Sequence, residues 1–456
     1  MRKTAYFLLL TAILSLSCSK EKESESVSSP ADAQIYSIRL TGDTLESKSL
    51  ATAIFSIDQI NNRIQNKDSL PFGTVITMVK CAITTKSASG TIFYPDAENM
   101  SDSIIWNGVD SLDMSKKSRL KIIAKNGINS RTYDIWTNIY SIKADSFVWT
   151  QLNSRVAYAE VEQQRTVLMP DSFMHSYVKT AAGFELYTSY IGNDAVWKKG
   201  AVWTKQDLSN FPANANLDLM PYCASKLYVA DAEGALYQSA DGIAWEKAKG
   251  KGGTDGLNHP VKALLGSLGD EIEAIIGTSG NYLLATYSPA DSLIYEGDAL
   301  FDDFPLEGFA SVGYKRDYRD RLLLVAGNNS SGIGMETSWM KTQGQNWIKI
   351  TQGYKRISPR SGAVCIPYDK QLLLIGGLDN DGYKKDIYYS PDFGLSWIPA
   401  NDSLQVMPEN FKARAGASVL SDNKNNVYII GGEEKVGTVR NVLNDIWRGR
   451  IHRLSK

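Results

Sequence analysis

Of the chain's 456 residues only four are cysteine and three histidine, and Lys plus Arg, 49, balance Asp plus Glu, 50. Each scarcity excludes something. Beyond Cys18 only Cys81, Cys223 and Cys365 remain, an odd number in different parts of the chain, so they read as small buried apolar residues rather than a disulfide framework. His175, His259 and His452 lie in three distant units, so no histidine-rich metal site is expected, and no cofactor is implied. A net charge of -1 gives no electrostatic case for a nucleic-acid partner. No long apolar run follows the first twenty residues, so membrane contact is expected only through the N-terminus.

What is present is repetition. From Arg360 to Trp397 the chain reads as four short apolar runs bounded by Gly, Pro, Asn and Asp, the pattern of four consecutive antiparallel strands. One such sheet cannot bury both of its faces alone. The second run recurs around Val178, Val229, Ile276, Val325, Ile375 and Ile430, a period of about fifty residues. The third recurs as Leu186-Tyr-Thr-Ser189, Leu236-Tyr-Gln-Ser239 and Ile387-Tyr-Tyr-Ser390, and a fourth-strand tryptophan as Trp203, Trp245, Trp347 and Trp397. The expectation is an all-β protein whose residues 144–456 form a six-bladed β-propeller. After Asp445-Ile-Trp447 the last unit has no fourth strand left. The missing piece precedes the first blade, as residues 146–153 around Trp149, which predicts closure of the ring between its two ends. Taking Trp447 as a fourth strand would instead give seven blades.

Before the repeats, Arg2 and Lys3 introduce an apolar run from Ala5 to Leu14 that is too short to span a bilayer and ends at Cys18. Residues 1–17 resemble a bacterial lipoprotein signal, in which Cys18 would receive lipid and become the new N-terminus. Ser15 stands where that family usually has leucine, and an ordinary signal peptide is the alternative. Residues 18–33 are polar and without periodicity, a flexible tether. Their acidic start resembles the export tag of Bacteroidota surface lipoproteins. That resemblance implies an outer-membrane anchor at the cell surface, with the periplasmic face as the alternative. Residues 34–143 carry further β signals without the repeat, including a hairpin with Asn126-Gly127 in its turn. They resemble an Ig-like, cadherin-like β-sandwich and are expected to serve as a spacer, or else to bind a ligand.

Two families are resembled within the repeats. Gly376-Gly377 and Gly431-Gly432, the Arg360-Ser-Gly-Ala and Arg414-Ala-Gly-Ala openings, and Asp386-Ile-Tyr and Asp445-Ile-Trp look like kelch repeats, best in the last two blades. Ser390-Pro-Asp392-Phe-Gly394-Leu-Ser-Trp397 resembles the Asp-box hairpin of sialidase-type propellers, and Ser239-Ala-Asp241-Gly242-Ile-Ala-Trp245 a version one residue shorter. Those motifs are structural. The whole arrangement resembles uncharacterised Bacteroidota lipoproteins, which supplies architecture and address but no activity. The catalytic set of sialidases cannot be placed on matched positions, nor can the copper ligands of kelch-type galactose oxidases. A propeller glycosidase or lyase with another carboxylate pair remains the alternative.

The binding reading rests on the loops before the first strand and after the second strand of each blade, which gather on one face. They carry Lys355, Arg356, Arg360, Lys384, Lys385, Lys412, Arg414, Lys435 and Arg440, with Tyr314, Tyr354 and Tyr383 among them. Arg356, Arg360, Tyr383, Lys384, Arg414 and Arg440 are the candidate ligand-binding residues. Guanidinium groups suit carboxylate or sulfate, and aromatic rings suit sugar faces. On the alternative reading Arg360 and Arg414 only satisfy blade carbonyls, and the lysines are solvated. The expected protein is a monomeric, non-catalytic platform for an extracellular glycan, anionic or not, or for a partner protein of a nutrient-uptake system.

Overall fold

The computed structural model describes residues 30–41, 48–153, 155–157, 160–193, 201–278, 281–351, 356–400 and 405–453. Cys18 and the leader lie outside them, as do Tyr354 and Lys355. The chain divides into two compact units, Met1–Ala144 and Asp145–Lys456.

In the first unit a six-stranded sheet runs in the order Phe55–Asp58, Arg63–Asn66, Ser130–Trp136, Ser118–Ala124, Ala88–Tyr94, Ile104–Ile105. Arg63–Asn66 pairs in parallel with Ser130–Trp136, while Ile35–Thr41 and Lys80–Thr85 form a separate antiparallel pair. Strand alternation sends Leu120, Ile122, Tyr133 and Ile135 into one core with Ile35, Ile38 and Leu40 of that pair. The Ig-like expectation therefore holds as far as layered β-structure around one core, and no further. The hairpin around Asn126-Gly127 is present, with Ser118–Ala124 paired to Ser130–Trp136.

The second unit is a six-bladed β-propeller. Five blades are sequential four-stranded antiparallel sheets, beginning at Gln163–Leu168, Tyr222–Cys223, Val261–Leu268, Ala310–Arg316 and Val364–Tyr368. The sixth takes Ser418–Ser421, Val427–Ile430 and Ile446–Ile451 from the end of the chain and Phe147–Leu152 from its own beginning. The pairing runs from Ile446 opposite Leu152 to Ile451 opposite Phe147, so Trp447 lies on a third strand and the count is six. The hairpin Glu433–Val436 with Val439–Val442 is inserted into this blade.

Six apolar clusters lie between neighbouring blades, one at each interface. Their composition explains why the second strands carry apolar residues on both faces although their sheets are antiparallel. Successive side chains point to opposite faces, and both faces of a blade are covered. In blade five Leu372 and Leu374 pack toward blade four, and Leu373 and Ile375 toward blade six. Tyr428 and Ile430 of blade six meet Met174 and Val178 of blade one, which completes the ring.

The recurrent tryptophans stand one residue before the fourth strands, which begin at Thr204, Glu246, Ile348 and Ile398. Trp397 is buried between blades four and five, and Trp245 between blades one and two. In the hairpin leading to Trp397, Asp392 Oδ1 accepts the Ser396 amide at 2.9 Å, and Ser390 Oγ accepts the Gly394 amide at 2.6 Å. Asp241 Oδ1 accepts the Ile243 and Ala244 amides in the shorter version. Gly394 has φ +104°, and a Cβ there would sit 2.6 Å from Leu323 of blade four. These hairpins join third to fourth strands, so they lie at the end of the propeller opposite the loop face.

Candidate functional site

Arg360 and Arg414, the two strongest sequence candidates, are inside the protein, each only 2 % exposed. Arg414 Nη1 and Nη2 donate to Asp445 Oδ1 and Oδ2 at 2.6 and 2.9 Å, Nη1 also reaches Gly431 O at 2.8 Å, and Nε reaches Lys412 O at 3.0 Å. Arg360 repeats this one blade earlier, on Asp386 at 2.7 and 3.1 Å and on Gly376 O at 3.1 Å. The glycine pairs turn the end of the second strand so that Gly376 O and Gly431 O face the guanidinium; Gly377 and Gly432 have φ of +105° and +94°. Both arginines are therefore committed to tying the start of the first strand to the second and third, and are withdrawn as ligand contacts. Asp445 carries opposing influences: burial pushes its carboxyl up, but Arg414 and the Trp447 indole outweigh it and hold the group below the usual range.

The remaining candidates lie on the expected face but are not free charges. Arg356 meets Glu336 at 2.9 Å, Lys384 meets Asp379 at 2.9 Å, and Lys412 meets Glu434 at 2.6 Å. Arg440 pairs with Glu433, whose other oxygen accepts the Tyr383 hydroxyl at 3.3 Å. Each of these four cations is thus compensated by its own acid, while Lys385 donates to the Glu409 carbonyl at 3.3 Å. Tyr314 is not on this face. It is the fifth residue of its strand, it is buried, and its hydroxyl donates to Phe393 O at 3.3 Å near the opposite end.

Two cavities open among the loops of the expected face. One, of about 1040 Å³, lies where the last blade meets the first and is strongly polar, with Arg155, Glu160, Glu162, Lys412, Arg440 and Asp445 in its wall. The other, of about 280 Å³, is lined by all six blades: Arg165; Asn216, Asp218 and Asp231; Lys262 and Tyr282; Glu307 to Ser311; Gly362 to Val364; and Gly416. A cavity touched by every blade lies on the propeller axis. Part of its wall is backbone: the Gly362 amide donates to Gly308 O and the Gly416 amide to Gly362 O, each at 2.7 Å. Gly362 has φ +65°, and a Cβ there would come within 2.9 Å of Ala415 Cβ. Glycine keeps this belt narrow and leaves the axis open.

Arg165 is the third residue of blade one's first strand. Its Nε donates to Leu217 O at 2.7 Å and its Nη2 to Asp218 O, both of blade two. Burial holds its guanidinium below the ordinary arginine value, with only the longer-range pull of Asp218 opposing this. No carboxylate lies within ion-pair distance of Arg165 or Lys262 among the described residues, which sets them apart from Arg356, Lys384, Lys412 and Arg440. Tyr282 and Phe309 add half-buried rings to the lining. None of these positions was singled out from sequence. Arg165 sits in the polar stretch Glu160–Thr166, where the blade-opening motif of the last two blades is absent; the available signal was its repeat position at the start of a first strand.

Among the described residues there is no group of three or more His, Cys, Asp or Glu placed to hold a metal ion. No helix among them is long and apolar enough to cross a membrane.

Two family models cover most of the chain. The DUF6242 beta propeller domain matches residues 143–455, and the N-terminal domain of the same family, a domain of unknown function, matches residues 20–137. The chain belongs to the DUF6242 family. No curated protein matches it. A solved structure titled "Structure of YjhT" is similar at 15% identity and a TM-score of 0.44, covering 64% of this chain and 95% of that one.

Proposed function

We propose that this member of the DUF6242 family is a cell-envelope lipoprotein, anchored through Cys18, whose propeller is a non-catalytic binding platform for an extracellular glycan. The observation that carries the reading is the axial cavity. At about 280 Å³ it lies near the lower end of small-ligand pockets, roughly 300–1,000 Å³. Its wall combines two aromatic rings with charged and amide side chains, the mixture that fits the alternating apolar faces and hydroxyl edges of a pyranose. The size suits one sugar residue or the end of a chain, and the paired rim residues Arg356, Lys384 and Arg440 would meet the remainder. The kelch-like openings serve the scaffold in this reading.

The address rests on the leader and tether. A lipid at Cys18 would hold the molecule at the outer membrane, on the cell surface, where a nutrient-uptake system meets polysaccharide. Calorimetry against neutral and acidic glycans, with product analysis on the same samples, tests the platform. Binding without new reducing ends supports it. Released oligosaccharides would make the protein a glycosidase or lyase, and co-purification with an outer-membrane protein without glycan binding would make it an assembly component.

A further inference from the structure

We infer that the axial cavity selects an acidic sugar, whose carboxylate or sulfate is taken by Arg165 with Lys262 as the second cation. This rests on the platform reading and names its ligand class. The geometry begins with which edge of the Arg165 guanidinium is used. Nε and one N–H of Nη2 point at Leu217 O and Asp218 O. The side edge of the fork is thereby fixed against blade two, and the end edge, Nη1 with the second N–H of Nη2, is left without a protein acceptor among the described residues. That end edge is the part of arginine that takes a carboxylate or sulfate through two parallel hydrogen bonds.

The electrostatics point the same way. A half-buried guanidinium resting on two carbonyl oxygens has lost hydration with no carboxylate in contact among the described residues, and an anion reaching its free edge supplies one. Lys262 is exposed, lines the same cavity and has no carboxylate within ion-pair distance among the described residues. Arg356, Lys384, Lys412 and Arg440 on the rim, by contrast, each already have an acid. The selection is for a single anionic group rather than for a polyanion, because Asp218, Asp231 and Glu307 share the lining and would repel further negative charge. They are placed to accept hydroxyl protons instead. Tyr282 and Phe309 supply ring faces for the sugar body. An acidic monosaccharide or an acidic chain end satisfies all of these; a phosphate-rich polymer does not.

The test uses the full-length protein and three soluble probes: glucuronate, glucose 6-sulfate and glucose, titrated by calorimetry at low and moderate salt. Binding of glucuronate, of glucose 6-sulfate or of both, at least about tenfold tighter than glucose, is expected, since a charge-assisted pair is involved. Arg165→Gln should abolish that preference, Arg165→Lys should weaken it by keeping charge without the fork, and Lys262→Ala should reduce it with no change in thermal unfolding. Comparison of glucuronate with the sulfate identifies which anion the fork takes. Lys205→Ala, on the fourth strand of blade one where the lysine pairs with Glu185, should leave all three titrations unchanged. Equal binding of glucose and the acidic sugars, or an unaltered preference in folded Arg165→Gln, overturns the inference while leaving the platform standing. Failure of every sugar to bind the wild type overturns both.

Discussion

Both terminal nitrogens of Arg414 rest on the two carboxylate oxygens of Asp445, at 2.6 and 2.9 Å, inside the blade that closes the ring. Arg360 and Asp386 repeat the relationship in the neighbouring blade. A guanidinium with 1 % of its side chain exposed and four of its five N–H donors directed at protein oxygen holds a blade together; it does not wait for a ligand.

Arg414→Met should therefore destabilise the propeller, by about 3 kcal/mol, because Asp445 and Gly431 O lose their partner inside the protein. Chemical denaturation measures this. Unchanged stability accompanied by lost glycan binding would return Arg414 to the ligand site.

Asp445 also sets a pH dependence. Its carboxyl is held below the ordinary aspartate value of 3.8 chiefly by Arg414, against burial, which alone would raise it. A lowered folded value means that the unfolded chain takes up the proton first. The stabilisation is complete above the ordinary aspartate value and is lost as pH falls through the lowered one. Thermal midpoints should fall steeply below about pH 4, and Asp445→Asn should flatten part of that fall. An unchanged acid limb in a folded Asp445→Asn protein would contradict the assignment.

A second ion pair joins blades three and four. Glu273, with 1 % of its side chain exposed, accepts from Lys341 Nζ at 2.7 Å and from Thr286 Oγ1 at 3.2 Å. Burial raises the Glu273 carboxyl despite Lys341. Lys341→Met should raise it further and cost about 3 kcal/mol at neutral pH. A raised acid penalises the folded state only once the unfolded group ionises, so this loss should be small below the ordinary glutamate value of 4.5 and grow as pH rises. Denaturation of the variant at pH 4.5 and 7.5 checks the sign; a loss equal at both would show that packing, not charge, is responsible.

Ring closure predicts an asymmetry between two truncations. A chain starting at residue 144 keeps Phe147–Leu152 and should fold as a monomer. One starting at residue 160 leaves Ile446–Ile451 as an open edge and uncovers the face on which Phe147 packs against Tyr368, so it should aggregate. Light scattering distinguishes them, and a stable monomer from residue 160 would contradict the role of the closing strand.

The propeller is legible because its signal is redundant: an apolar second strand like Leu372–Ile375 recurs at a period of about fifty residues, and the missing fourth strand leaves a gap that Trp149 and its neighbours fit. The site was not legible to the same degree. Sequence register places Arg356, Lys384, Arg414 and Arg440 on one loop face, but it carries no information on what each meets across space. Asp445 is thirty-one residues from Arg414. Arg165 is paired with the Leu217 carbonyl fifty-two residues on, and its exposure to the axis follows from the turn of the whole ring rather than from a motif. Tyr314 was misplaced for a related reason, since a first strand crosses from one end of the propeller to the other and five residues suffice to leave the loop face.

The most direct test of the account is a crystal structure of the full-length protein with glucuronate or with a bound oligosaccharide found by screening. The account predicts intact ligand in the axial cavity, its acidic group on the end edge of Arg165 and its ring beside Tyr282 or Phe309. Ligand seated only in the groove beside Arg440, with the axial cavity empty, would contradict it.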